Sequence, residues 1–112
     1  MTVRFTAHTP AGREVLLAEG VLGETVIRAD GNFYADPSVV KTDVLKRTEN
    51  TYTCPYKGLC YYYSMIDSEG NAVLDQVTWV YDEPMEGWDQ IAGKFGFYSH
   101  DMNGVTVSQT ED

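Results

Sequence analysis

Apolar and polar residues alternate over most of the chain in short runs rich in β-branched and aromatic side chains, and clusters of Gly, Pro, Asn and Asp separate the runs. Alternation with a period of two puts successive side chains on opposite faces of an extended backbone, so the pattern predicts strands. Residues 3 to 7 and 14 to 18 flank the turn Thr9-Pro10-Ala11-Gly12, and residues 25 to 28 lead through Asp30-Gly31-Asn32 to Phe33-Tyr34. These segments predict an opening pair of hairpins. From 39 to 47 the chain is too charged and too short for a helix; it reads as mostly irregular, with Thr42 suited to cap one turn containing Val44 and Leu45.

Residues 51 to 53 and 59 to 66 read as strands around Cys54-Pro55-Tyr56-Lys57-Gly58, where Pro55 fixes its own φ and holds Cys54 extended. After the turn 67 to 71, residues 73 to 81 form the partner strand of a central hairpin. Val77, Trp79 and Tyr81 are expected on one face of it, with Thr78 and Val80 on the other. Pro84 suits the first position of a helix, and Trp88, Ile91 and Ala92 fall at i, i+3 and i+4, so 84 to 92 predicts one or two helical turns ended by Gly93. Residues 94 to 98 and 105 to 108 stand on either side of Asn103-Gly104, the favoured dipeptide of a tight hairpin. Residues 109 to 112 are expected to form a disordered tail. The expectation is one compact, mainly β domain of antiparallel hairpins spanning residues 1–112.

Composition narrows the function classes. The chain has 112 residues, 43% of them hydrophobic, enough to fill one core without staples, and its two cysteines are too few for a disulfide framework. With 17 acids against 8 bases the net charge is −9, and the excess lies in the C-terminal part: residues 65 to 112 hold ten acids and Lys94 alone. Such a chain repels nucleic-acid polymers and anionic membrane surfaces. Its longest apolar run, 59 to 63, is far shorter than the roughly 20 residues of a spanning helix, and the N-terminus lacks the apolar core of a signal peptide, so the protein is expected in the cytoplasm. The stretch 41 to 57 is locally basic, with four bases and two acids.

Several motifs share a resemblance. Thr53-Cys54-Pro55-Tyr56-Lys57-Gly58 followed by Tyr61-Tyr62, then Trp79-Val80-Tyr81 with Pro84, Ile91-Ala92-Gly93 and Phe97-Tyr98, together resemble the DUF427 family of small, mostly bacterial domains over about residues 24 to 107. Asn32-Phe33-Tyr34 and Val40 fit the family's upstream segment, although Ala35 and Asp36 stand where an aromatic and a proline are commoner. The resemblance implies a β-tent or Mss4-like architecture and no established activity. The family is sometimes labelled nucleotidyltransferase-like, but the chain has neither a Gly-Ser motif followed by paired aspartates nor a phosphate-cradling glycine loop.

Chemistry concentrates in the central segment. Lys57 carries three donors between Tyr56 and Gly58, and Tyr61, Trp79 and Tyr81 supply aromatic walls of the kind that line small-ligand sites. Two ordinary roles compete for Lys57: a stem that covers Trp79 or a tyrosine while its head stays in water, and an ion pair with the acidic half. Arg47 is a second candidate cation. Cys54 is the candidate nucleophile, favoured by Lys57 as a neighbour but without a histidine close in sequence, and the competing reading is a small residue packed at a tight turn. A zinc site, suggested by β-tent relatives, would have to gather Cys54, Cys60, His8 and His100, a spacing unlike the usual paired cysteines; no metal and no cofactor is expected. The acids Asp82, Glu83, Glu86 and Asp89 read as a solvated loop. The leading expectation is a domain that binds a small anionic or polar ligand at Tyr56, Lys57, Gly58, Tyr61, Trp79 and Tyr81. The alternatives are a noncatalytic interaction or assembly module, including a homodimer, and a thiol-dependent enzyme using Cys54.

Overall fold

In a computed structural model, which describes residues 1–111, nine strands form two antiparallel sheets. They are β1 (Thr2–His8), β2 (Glu14–Val21), β3 (Val26–Ala29), β4 (Asn32–Ala35), β5 (Leu45–Cys54), β6 (Gly58–Ile66), β7 (Ala72–Val80), β8 (Phe95–Phe97) and β9 (Val105–Thr110). The smaller sheet has the order β2-β1-β9 and the larger β3-β4-β8-β7-β6-β5. The β1–β2, β3–β4 and β6–β7 hairpins form as the alternation predicts. At the β3–β4 turn, Asp30 and Gly31 both take positive φ, 53° and 78°, as a two-residue hairpin loop matching the strand twist requires.

The two sheets pack face to face through the inward positions of each strand. Val3, Phe5 and Ala7 of β1 and Val15 and Leu17 of β2 meet Phe33, Ala35, Val80, Phe95 and Phe97 of the larger sheet. Phe5 is the centre of this layer. It is fully buried, stacks on Phe97 at 4.2 Å between ring centroids, and meets the edge of Phe33 at 5.6 Å.

Several expectations change. Residues 39 to 47 are not mostly irregular: two 3-10 turns, Pro37–Val39 and Thr42–Val44, run directly into β5. Thr42 lies within its turn and Lys41 stands at the N-cap without a side-chain bond. Asp36 does cap the earlier turn, accepting from the Ser38 amide at 3.0 Å. β5 itself spans ten residues because a bulge between Arg47 and Thr51 absorbs the polar stretch that hid the first half of the strand. The Thr48 hydroxyl fills the gap in the ladder, donating to the Tyr62 carbonyl at 2.9 Å and accepting from the Asn50 amide at 3.1 Å.

The helix expected over 84 to 92 reduces to one 3-10 turn, Asp89–Ile91, since Gly87 takes a φ of 94° and interrupts helical geometry. Asn103 and Gly104 do form a turn with positive φ, yet β8 and β9 are not partners: β9 crosses to the smaller sheet and pairs with β1. β9 extends to Thr110, opposite Thr2, into the stretch expected as a tail, and Asp112 lies outside the described residues. Val77 does not share its neighbours' environment. It packs in the layer between the sheets while Trp79 and Tyr81 pack on the outer face, because Gln76 takes a φ of 52° and the β6–β7 register shifts between Tyr63 and Met65.

Replacing Phe5 by Ala removes the ring that both aromatic contacts share, and the expected loss is about 3–5 kcal/mol, a large part of a domain's stability. Urea denaturation with an unchanged m-value and a lowered midpoint is the check.

Candidate functional site

The outer face of the larger sheet carries the site. Cross-strand pairing aligns Tyr52 with Cys60, Tyr62 with Trp79, Trp79 with Gly96, and Tyr34 with Gly96, so these residues share one face. Gly96 decides how they meet. A Cβ there would lie 2.3 Å from both Cε2 and Nε1 of Trp79, so the indole crosses β8 only because no side chain stands in its way. Having crossed, Trp79 Nε1 donates to the Tyr34 hydroxyl at 3.2 Å, and its ring meets Tyr98 at 4.8 Å.

A strap of residues 82 to 93 closes the end of this face. Ile91 is fully buried in the aromatic cluster, with Trp88 packed beside it. The strap is tied at three points: the Met85 amide donates to the Lys57 carbonyl at 2.8 Å, the Gly93 amide donates to the Tyr81 carbonyl at 2.9 Å, and Asp82 takes both guanidinium nitrogens of Arg47 at 2.7 and 2.8 Å. Arg47 also lies over the rings of Tyr61 and Tyr63 at 4.4 and 5.3 Å. It thus holds the strap from the inner face rather than assisting Lys57.

A pocket of about 130 Å³ lies on this outer face. Trp79, Tyr62, Tyr81 and Tyr98 give it aromatic walls, and Lys57, Cys60 and Asn32 supply polar groups, with Tyr52 at its margin. The Lys57 side chain is only 8% exposed, although its turn is on the surface. Its ammonium pairs with the Asp30 carboxylate from the β3–β4 turn and sits 5.6 Å from the Tyr81 ring centroid and 5.8 Å from that of Trp88. Burial opposes the charge, but the hydrogen bond to Asp30 and the negative charge of its carboxylate leave the Lys57 pKa raised.

The buried phenols and the Cys60 thiol beside this ion pair stay protonated. Burial pushes the Tyr62 phenol up to about 12 and raises Tyr34 and Tyr81 as well. Burial also raises the Cys60 thiol, although hydrogen bonds with Tyr81 and the Tyr52 backbone pull the other way. At neutral pH the pocket therefore offers one ammonium, several O–H groups and a protonated thiol.

The residues singled out by sequence separate into two sets. Lys57, Trp79 and Tyr81 converge on the pocket, and Cys54 is buried in the same cluster. Tyr56 projects from the turn, 73% exposed. Gly58, with a φ of 103°, faces the strap, where an added Cβ would come 3.3 Å from Met85 Cγ, so the close approach it permits is that of the strap. Tyr61 alternates to the inner face beneath Arg47. His8 bonds Thr106 at 2.8 Å in the smaller sheet, so the four residues weighed for zinc do not converge. Cys54 and Cys60 are free thiols.

Sequence reasoning did not place Asn32, Tyr52, Cys60, Tyr62 and Tyr98 at the pocket, nor Asp30 on Lys57. Tyr62 was legible as facing away from Tyr61. Asp30 carried only a turn signal, and its bond to Lys57 depends on two distant turns meeting. A larger groove, about 520 Å³, lies between the β1–β2 turn and the β6–β7 hairpin, bordered by Pro10, Ala11, Ile66 and Val73. It lacks the buried cation and aromatic walls of the first pocket.

A family model described as a domain of unknown function, DUF427, matches residues 18–108. The chain belongs to the DUF427 family. The matched span holds both turns, the strap and every wall of the aromatic pocket, and leaves out β1 and the first half of β2. No curated protein matches the chain. Among the described residues no helix is long and apolar enough to cross a membrane.

Two substitutions test this architecture. Gly96→Ala forces the Trp79 indole off β8, with an expected loss of about 1–3 kcal/mol and a shifted indole N–H resonance. The resonance is best followed in a Trp88→Phe background. Asp82 is held below the usual carboxylate range by the hydrogen bonds from Arg47, with burial partly opposing. Its contribution is therefore full above about pH 4 and fades as pH falls through the depressed value. Both partners are more than a third exposed, so screening limits the contribution to at most about 1 kcal/mol. Melting temperatures of wild type and Asp82→Asn should differ at neutral pH and converge in acid.

Proposed function

We propose that this DUF427 domain binds a small polar ligand in the aromatic pocket, with an acceptor oxygen of the ligand on the Lys57 ammonium. The observation that carries this reading is the state of Lys57. An ammonium has three donors, and among the described residues this one makes a single hydrogen bond, to Asp30, while withdrawn from water. Its remaining donors face the pocket that Lys57 lines and are available to an acceptor oxygen entering it. A lysine that served only to cover aromatic surface would leave its head in water. Trp79, Tyr62 and Tyr98 provide ring faces for the ligand body, and Asn32 and the phenols provide further donors and acceptors.

The surroundings favour binding over thiol chemistry. Cys54 is buried, neither cysteine has a histidine hydrogen-bonded to it among the described residues, and Cys60 is pushed towards its protonated form.

A thermal-shift series with phosphate, small carboxylates, small amides and nucleotides tests the reading, run on wild type and Lys57→Met. A ligand at about ten times its Kd should stabilise the wild type by roughly 1.4 kcal/mol, or about 5 °C, and the shift should disappear in the variant. Equal shifts in both proteins would remove Lys57 from the site, and no shift with any compound would remove the pocket.

A further inference from the structure

Resting on that reading, we infer that the pocket selects an uncharged ligand of the carboxamide or lactam class, and that Asp30 is the residue that excludes carboxylates. The ammonium that would attract an anion is already neutralised within the chain. Asp30 pairs with Lys57, and its own side chain is 51% exposed, beside the site rather than beneath it. Among the described residues, Lys57 is the one cation lining the pocket. The phenols and the thiol around it carry no positive charge in either protonation state.

The balance of charge then decides the ligand class. A carboxylate entering the pocket would leave two anions around one ammonium, would lose its hydration, and would stand within a few ångströms of the Asp30 carboxylate. Two acceptors on one ammonium stand about 4.6 Å apart, and at an effective dielectric near 20 the repulsion from Asp30 at that distance cancels more than half of the attraction gained from Lys57 at hydrogen-bond contact, leaving the lost hydration of the carboxylate largely uncompensated. An amide loses far less hydration. Its carbonyl can accept from the unused Lys57 N–H groups, its N–H₂ can donate to a phenol oxygen or to the Asn32 carbonyl, and its plane can stack on the Trp79 indole.

Size narrows the class further. A cavity of about 130 Å³ is slightly smaller than the roughly 150 Å³ that accommodates benzene, so the part of the ligand that enters has about six non-hydrogen atoms.

The test compares butyramide with butyrate, matched in size and differing in charge, by NMR titration that follows the Trp79 indole N–H. Wild type is expected to bind the amide at least about tenfold more tightly than the carboxylate. Asp30→Asn keeps a hydrogen-bond acceptor for Lys57 while removing the charge, and should tighten butyrate at least about tenfold while changing butyramide less than about threefold. Preferential binding of butyrate by wild type, or an unchanged preference in folded Asp30→Asn, overturns the selection by charge and leaves the pocket intact as a binding site. Binding of neither compound, in a protein that also fails the broader thermal-shift series, overturns the binding reading itself. Should Asp30→Asn not fold, the wild-type comparison decides the matter alone, since it needs no variant.

Discussion

An ammonium taken out of water needs compensation, and the outer face of the larger sheet is organised around that of Lys57. Its partner cannot come from its own hairpin, because the neighbouring positions are Cys54, Pro55, Tyr56 and Gly58. It comes from Asp30, in a turn 27 residues earlier, which can reach Lys57 only when β4, β8, β7 and β6 lie side by side in that order. The strap then covers the charge: the Lys57 carbonyl accepts from Met85, and the rings of Tyr81 and Trp88 stand over the ammonium. One buried charge thus links two hairpin turns and a loop that share no regular secondary structure.

The two faces of that sheet divide the labour of the fold. The inner face stabilises by burial of Phe33, Phe95 and Phe97 against Phe5 and Leu17, a layer without polar demands beyond the Thr78 hydroxyl, which donates to the Gly96 carbonyl at 2.6 Å. The outer face has no second sheet to pack on. A strap of modest length covers it in part, and the uncovered remainder is the pocket. A residue's position along β6 therefore settles its role by parity: Cys60 and Tyr62 belong to the pocket, Tyr61 and Tyr63 to the Arg47 stack and the core.

The same geometry resolves the uneven charge of the chain. The acidic C-terminal part and the basic segment ahead of it meet at Arg47 and Asp82, where a bidentate pair pins the strap. Lys57 does not take part in that pairing. Its counter-charge is an acid of the N-terminal half, so of the four bases in that segment Arg47 fastens the strap while Lys57 lines the pocket.

Much of this was legible in the residues themselves. Strict alternation revealed the strands, Asp30-Gly31 and Asn103-Gly104 revealed tight turns, and the Cys-Pro-Tyr-Lys-Gly motif revealed both the family and the lysine, because backbone preferences and periodicity are local properties. The bulge in β5, the arrest of the helix at Gly87 and the transfer of β9 to the other sheet were not legible. Each is set by partners far away in the chain that override local preference. The site divides along the same line. Lys57, Trp79 and Tyr81 were visible as residue types in a motif, whereas Asp30, Asn32 and Tyr98 became site residues only through strand order, and Tyr56 left the site because its turn points it into solvent. Sequence determined which side chains were available; tertiary packing decided which of them lost their water together, and a charge or a ring acquires its chemistry from that loss.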